Sequence, residues 1–251
     1  MAARVPLVLL PALLCDAGLY RAQFDALGDI ADAQVIVATE SSLARSAQVV
    51  LSQAPPRFAL AGTSAGGNLA LEVLATAPAR VTGFWLTGSN AAVHGDVTGA
   101  RRLSERARAG EYERVVDELA ALCIHAAGPH GPAALATLRA MAVRAGLDVF
   151  LRQHEAVITR ADRSAVFKTL TVPTLFLWGR HDRFSPPERA EAYAAGVPSA
   201  RVVVVEDCGH LPTLEQPEAA TAAIREWLIR VQRAGAGGTR VSAETPEAGA
   251  S

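Results

Sequence analysis

The chain has 251 residues, of which half are hydrophobic and a fifth charged, and its formal net charge is −1. That length holds one or two domains around one sizeable core. The composition excludes a disordered chain, a collagen-like fibre and a strongly basic nucleic-acid binder.

The first apolar run, Val5 to Leu10, follows Arg4 and is closed by Pro11. It has two readings, a short secretion signal or a buried strand. Two prolines, a single positive charge and Leu14 rather than a small residue before Cys15 speak against the signal. The rest of the chain calls for such a strand. Further short, β-branched apolar runs follow at Gln34–Ala38, Phe58–Ala61, Val81–Leu86, Thr174–Trp178 and Val202–Val205. They lack polar alternation, as parallel strands covered on both faces do. Amphipathic segments lie between them at Leu19–Leu27, Ser42–Ser52, Ala65–Thr76, Pro187–Ala195 and Glu218–Arg233. The alternation predicts an α/β fold, a doubly wound and mostly parallel sheet of about six strands.

The alternation stops between residues 93 and 169, where four helices are expected near Gly99–Ala109, Tyr112–Ile124, Gly131–Ala145 and Val149–Arg160. This segment reads as a helical cap inserted after the fourth strand, too long for an idle loop. The expected division is a core of residues 1–92 and 170–233, a cap of 93–169, and a disordered tail of 234–251, rich in Gly, Ala, Ser and Thr. No apolar run reaches the roughly 18–20 residues of a membrane span, so no membrane partner is expected. Three widely spaced cysteines, Cys15, Cys123 and Cys208, form no disulfide framework and fit a reducing, cytoplasmic setting. No CxxC pair, HExxH or comparable spacing points to a metal. Nothing in the sequence speaks to oligomeric state.

The chemistry concentrates in Gly62-Thr63-Ser64-Ala65-Gly66, a G-x-S-x-G turn between a strand and a helix. Such a turn holds its Ser in strained backbone angles at a helix N-terminus, where free amides favour a developing oxyanion. Taken alone, the pentapeptide also fits a Gly-rich turn that packs tightly or holds a phosphate. It is neither G-x-G-x-x-G nor a P-loop. A Ser hydroxyl needs an imidazole to take its proton and a carboxylate to orient that imidazole. Asp182 stands just past the fifth strand run and His210 just past the sixth. Together with Ser64 they occupy one edge of the sheet, where open α/β sheets bind ligands. Glu206 and Asp207 are rival carboxylates and His181 is a rival base. His94, His125, His130 and His154 fall in the cap with surface or packing roles. The loop after the first strand, Pro11 to Gly18, should supply a second oxyanion amide. Leu13 is the candidate there, and Ala65 the other. Cys15 reads as a small buried hydrophobe rather than a second nucleophile.

With these residues in place, the chain resembles the α/β-hydrolase superfamily, most closely its compact bacterial branch of 3-oxoadipate enol-lactonases and small carboxylesterases. The resemblance rests on LLPALLCDAGLY, AGTSAGGNLALEV, VPTLFLWGRHDRFSPPE and EDCGHLPTLEQPEAATAAIREWL, spanning nearly residues 5–230. It implies the same fold and cap, and the same roles for Ser64, Asp182, His210, Leu13 and Ala65. It implies a serine hydrolase of a small or medium carboxylic ester, lactone or thioester, with a small-molecule acyl substrate, no cofactor and no nucleic acid. C–C bond hydrolysis, perhydrolysis of the haloperoxidase type, and a ligand receptor without turnover share this framework. Three departures stand out. Ala12 replaces the family's usual Gly, so a positive φ there would strain the oxyanion loop by about 1 kcal/mol. Thr63 replaces the more usual His and is expected to alter the pocket wall. The first apolar run reads as a central strand, so the antiparallel strands that usually come first are not expected. The local likeness to hormone-sensitive-lipase-like esterases lacks their upstream HGGG loop.

Overall fold

The computed structural model describes residues 3–240. Strand β1 (Val5–Leu10) leads through a 3₁₀ turn (Ala17–Tyr20) into α1 (Arg21–Leu27), β2 (Ala31–Val35) and α2 (Leu43–Gln53). Then come β3 (Phe58–Thr63), α3 (Ala65–Thr76) and β4 (Val81–Thr87). Helices α4 (Val97–Arg106), α5 (Tyr112–Cys123) and α6 (Gly131–Ile158) follow before the sheet resumes. The remainder is β5 (Thr174–Gly179), α7 (Glu188–Ala194), β6 (Ala200–Val205), α8 (Pro212–Glu215) and α9 (Pro217–Arg240).

All six strands pair in parallel, in the order β2-β1-β3-β4-β5-β6. The chain first runs outward from β1 to β2, then returns across β1 to β3. The order therefore reverses between β1 and β3, the place where open α/β sheets form ligand crevices at their carboxyl ends. Alternate side chains of each strand feed two separate cores, because successive Cβ atoms point to opposite faces. Leu7 and Leu9 of β1 join Trp85, Leu175 and Leu177 under α1 and α9. Val8 and Leu10 join Leu60, Phe84, Phe176 and Trp178 under α2, α3 and α7. Each such side chain taken from water contributes about 1.5–3 kcal/mol. A third cluster, with Val115, Val116 and Phe150, holds the inserted helices together.

The strand expectations hold with one shift. The second strand was expected at Gln34–Ala38 and lies at Ala31–Val35. It is an edge strand paired only with β1, so polar Asp32 and Gln34 are tolerated and the apolar run marks only its end. The inserted helices fall where expected, after β4. The anticipated gap between the third and fourth of them is Gly146, which breaks α6 at φ 77°. Helix α9 continues past Arg233 to Arg240, so residues 234–240 of the expected tail are helical. Residues 241–251 lie outside the described residues. Among the described residues no helix is long and apolar enough to cross a membrane.

Candidate active site

Ser64 sits between β3 and α3 at φ 54°, ψ −116°, a conformation that L residues rarely adopt. Packing holds it there. Its amide donates to the carbonyl of Thr87 at the end of β4 (2.8 Å), and its carbonyl accepts from the Ser89 hydroxyl (2.7 Å). Gly66 faces the Leu10 carbonyl so closely that any Cβ would collide with backbone. This is the physical reason for glycine two residues after the serine. Ala65 opens α3, so its amide has no acceptor one turn earlier within the helix.

Asp182 lies in the turn after β5. Its Oδ1 accepts from the amides of Phe184 and Ser185, both at 2.9 Å, and its Oδ2 accepts from His210 Nδ1 at 2.7 Å. Both side chains are buried. The contact fixes the imidazole so that Nε2 is the free nitrogen. Gly88, at φ 60°, covers the pair, and a Cβ there would stand 2.7 Å from His210 Cε1. Ser64 and His210 line one cavity. Its walls are Leu13, Leu14 and Cys15 from the loop after β1, Val116 and Leu119 from α5, and Leu138 and Ala142 from α6, with Phe184 and Leu211 beside the imidazole. Among the described residues that line it there is no Lys, Arg, Asp or Glu.

The loop after β1 departs from expectation in one respect. Ala12 does not have a positive φ; the left-handed residue is Leu14, at φ 62°. Gln153 of α6 stabilises that bend. Its Oε1 accepts from the Leu14 amide (3.1 Å), and its Nε2 donates to the carbonyl of Ala38 (3.0 Å). The Leu13 amide makes no hydrogen bond among the described residues, which leaves it free to donate. Asp16 ties the far end of the loop, accepting from Gly18 N and pairing with Arg144 at 2.8 Å. Thr63 does not shape the cavity wall. It is buried beneath the turn, with its hydroxyl 2.9 Å from the Tyr20 hydroxyl, which donates to Leu10 O.

None of the rival residues reaches the Asp182–His210 pair. Glu206 pairs with Arg180 (2.8 Å) and Asp207 is exposed, and neither bonds His210. His181 stacks on His125, with ring centroids 4.1 Å apart, away from the Ser64 cavity. His154 is buried in the cap against Ser104 (2.8 Å) and is held neutral by burial, its pKa pushed down to about 4. Burial likewise pushes the Cys15 and Cys208 thiols far up, which makes them poor nucleophiles.

Sequence reasoning missed Glu215. Its buried carboxylate accepts from the amides of His125 (2.7 Å) and Gly209 (2.8 Å) on Oε2 and of Leu211 (2.9 Å) on Oε1. It thus brackets His210, whose own amide donates to Cys123 O at 2.7 Å. A carboxylate five residues after a loop histidine, at the end of a Pro-initiated turn, was the available signal. The expectation of no metal spacing was read along the chain. The fold, however, brings His125, His181 and Asp207 to within ligand reach of one another.

A parallel sheet carrying a strained serine, a buried aspartate–histidine pair and a helical insertion over the carboxyl ends of its strands defines a hydrolase fold. The model of the alpha/beta hydrolase family matches residues 4–224, and the chain belongs to that family. It is 26% identical over 187 residues to a pimeloyl-[acyl-carrier protein] methyl ester esterase of Nitrosomonas europaea, covering 70% of this chain and 73% of that one. A shorter stretch of 81 residues is 32% identical to a 2-hydroxy-6-oxononadienedioate/2-hydroxy-6-oxononatrienedioate hydrolase of a Pseudomonas species, covering 32% and 29%. The structure superposes on a thermophilic esterase from Thermogutta terrifontis with TM-score 0.81 and 27% identity over 92% of both chains. It also shares the fold of the enol-lactonase of Burkholderia xenovorans, with TM-score 0.79, 20% identity and coverage of 90% and 92%. The expected reaction class, an ester-cleaving hydrolase, agrees with the two esterases among these relatives.

Proposed function

We propose that the protein hydrolyses small or medium carboxylic esters, lactones or thioesters through an acyl-enzyme on Ser64. In this reading His210 Nε2 takes the Ser64 proton as the hydroxyl attacks the acyl carbon. Asp182 holds the imidazole in the required tautomer and stabilises its cation. The amides of Leu13 and Ala65 receive the oxyanion. Losing one such donor typically costs about 10²–10³ in rate. His210 then protonates the leaving group, and water activated by the same ring releases the acid. Domain limits of 1–92 with 170–233 for the core and 93–169 for the cap go with this reading, the cap supplying half of the acyl pocket.

The observation that carries it is the buried Asp182–His210 pair opening onto the same cavity as the strained Ser64 turn. The uncharged walls favour a neutral acyl chain. A second carboxylate would lose its hydration there with no cation to receive it, which is strongly unfavourable. This speaks against a dioate substrate of the kind named for the Pseudomonas relative. The test is labelling by a fluorophosphonate together with hydrolysis of p-nitrophenyl esters of rising chain length, several lactones and one ω-carboxylated ester. Ser64→Ala should neither label nor turn over. Equal labelling of the variant would remove the nucleophile, and saturable binding without turnover by the wild type would favour a receptor. Preference for the ω-carboxylated ester would overturn the substrate class.

A further inference from the structure

A second cluster of chemically capable side chains lies outside the cavity just described. His125 follows α5, His181 follows β5 and Asp207 follows β6, yet each offers a ligand atom within 4.8 Å of the other two. We infer that these three residues form a binding site for a divalent transition metal, of which Zn²⁺ is the representative.

The donor set is two imidazoles and one carboxylate, which suits zinc and its neighbours and not the harder Ca²⁺ or Mg²⁺. A site with three protein ligands and the remaining positions left to water is a common zinc arrangement. The other four histidines have a ring nitrogen committed: His94 to the Asp96 amide, His130 to Glu215 O, His154 to Ser104 and His210 to Asp182. The ring nitrogens of His125 and His181 and the Asp207 carboxylate hold no hydrogen bond among the described residues. The backbone beneath them is pinned. The His125 amide donates to Glu215, the His181 amide to Cys208 O (2.8 Å), and Asp207 O accepts from Gln216 (3.2 Å). His125 and His181 also line one open cleft, which provides a path for an ion.

The two rings now lie face to face, 13° from parallel. Face-to-face rings do not aim both lone pairs at one point, so His181, the exposed partner, must turn out of the stack as the ion enters. The ligand atoms of a tetrahedral zinc lie about 3.3 Å apart, so the cluster closes by no more than about 1.5 Å. Rotation of exposed side chains spans that distance without backbone movement. The bound ion would join the three loops that carry Asp182, His210 and the carbonyl receiving the His210 amide.

Isothermal titration of the untagged full chain with ZnCl₂ tests this, with the thermal midpoint as a second readout. One equivalent should bind and raise the midpoint. His181→Ala and Asp207→Asn, both at exposed positions, should weaken binding by more than about tenfold. His125→Gln should do the same, and its thermal midpoint without zinc establishes that it is folded. Ser64→Ala should bind as the wild type does, which keeps this site separate from the proposed nucleophile. Absence of one-to-one binding by the wild type, or undiminished binding by His181→Ala and Asp207→Asn, would overturn the inference.

Discussion

Replacing Glu215 by glutamine removes one acceptor oxygen while preserving volume. The wild-type carboxylate serves three backbone amides, two on one oxygen and one on the other. In the variant a single oxygen remains and an NH₂ group faces at least one of those amides. One lost bond costs about 0.5–1.5 kcal/mol, and a buried amide left without an acceptor a further 1–3 kcal/mol or so. The sum is about 2–4 kcal/mol, a substantial share of the roughly 5–15 kcal/mol of a typical domain. In urea, with a slope of about 3 kcal/mol per molar, the midpoint should fall by about 1 M. Gly209 and Leu211 flank His210, so the imidazole should lose its alignment and kcat should fall by about tenfold or more, with KM little changed. A midpoint within about 0.2 M of wild type at unchanged slope, with full kcat, would refute the bracketing role.

Gln153→Leu should lower kcat by up to about 10²-fold at unchanged KM, since Leu14 loses the partner of its left-handed bend and the adjacent Leu13 amide drifts; steady-state kinetics on a p-nitrophenyl ester would show it. Gly88→Ala should lower the thermal midpoint and abolish turnover, because φ 60° costs an L residue about 1–2 kcal/mol and the new Cβ displaces His210. His154 gives a pH dependence of defined sign. Its folded pKa of about 4 lies below the unfolded value of 6.5. The unfolded chain therefore binds more protons between those values, and stability falls as pH falls through that window, by about 3 kcal/mol at its end. Urea midpoints at pH 7 and pH 5 should show this slope in the wild type and a shallower one in His154→Gln.

What a single chain discloses depends on how local the cause is. Strand β1 and helix α3 match their expected limits because an apolar run closed by Pro11, or a helix opened by a Gly-rich turn and closed by Pro78, is complete within a few residues. Ser64 could be singled out because the strain of its turn demands glycine at fixed offsets. Asp182 and His210 followed from their places past strand ends. Strand β2 slipped because its limits are set by pairing with β1, which tolerates Asp32 and Gln34 at an edge. Position 12 drew attention as a possible site of strain and Leu14 did not, since the Gln153 that stabilises the Leu14 bend lies 139 residues away in sequence. Glu215 escaped because a buried carboxylate reads as an exposed one until three amides are seen to converge on it. The clustering of His125, His181 and Asp207 has the same cause, since only the ends of three separate elements bring them together.

The grip of α6 on the loop after β1 constrains how anything bulky reaches Ser64. Met141 and Arg144 hold Asp16 from before the break at Gly146, and Gln153 holds Leu14 from beyond it. Neither half of the helix can swing aside without pulling on the same short stretch of backbone. The roof over this crevice is therefore a brace for its floor, and widening the entrance and slackening the amide of Leu13 are one mechanical event.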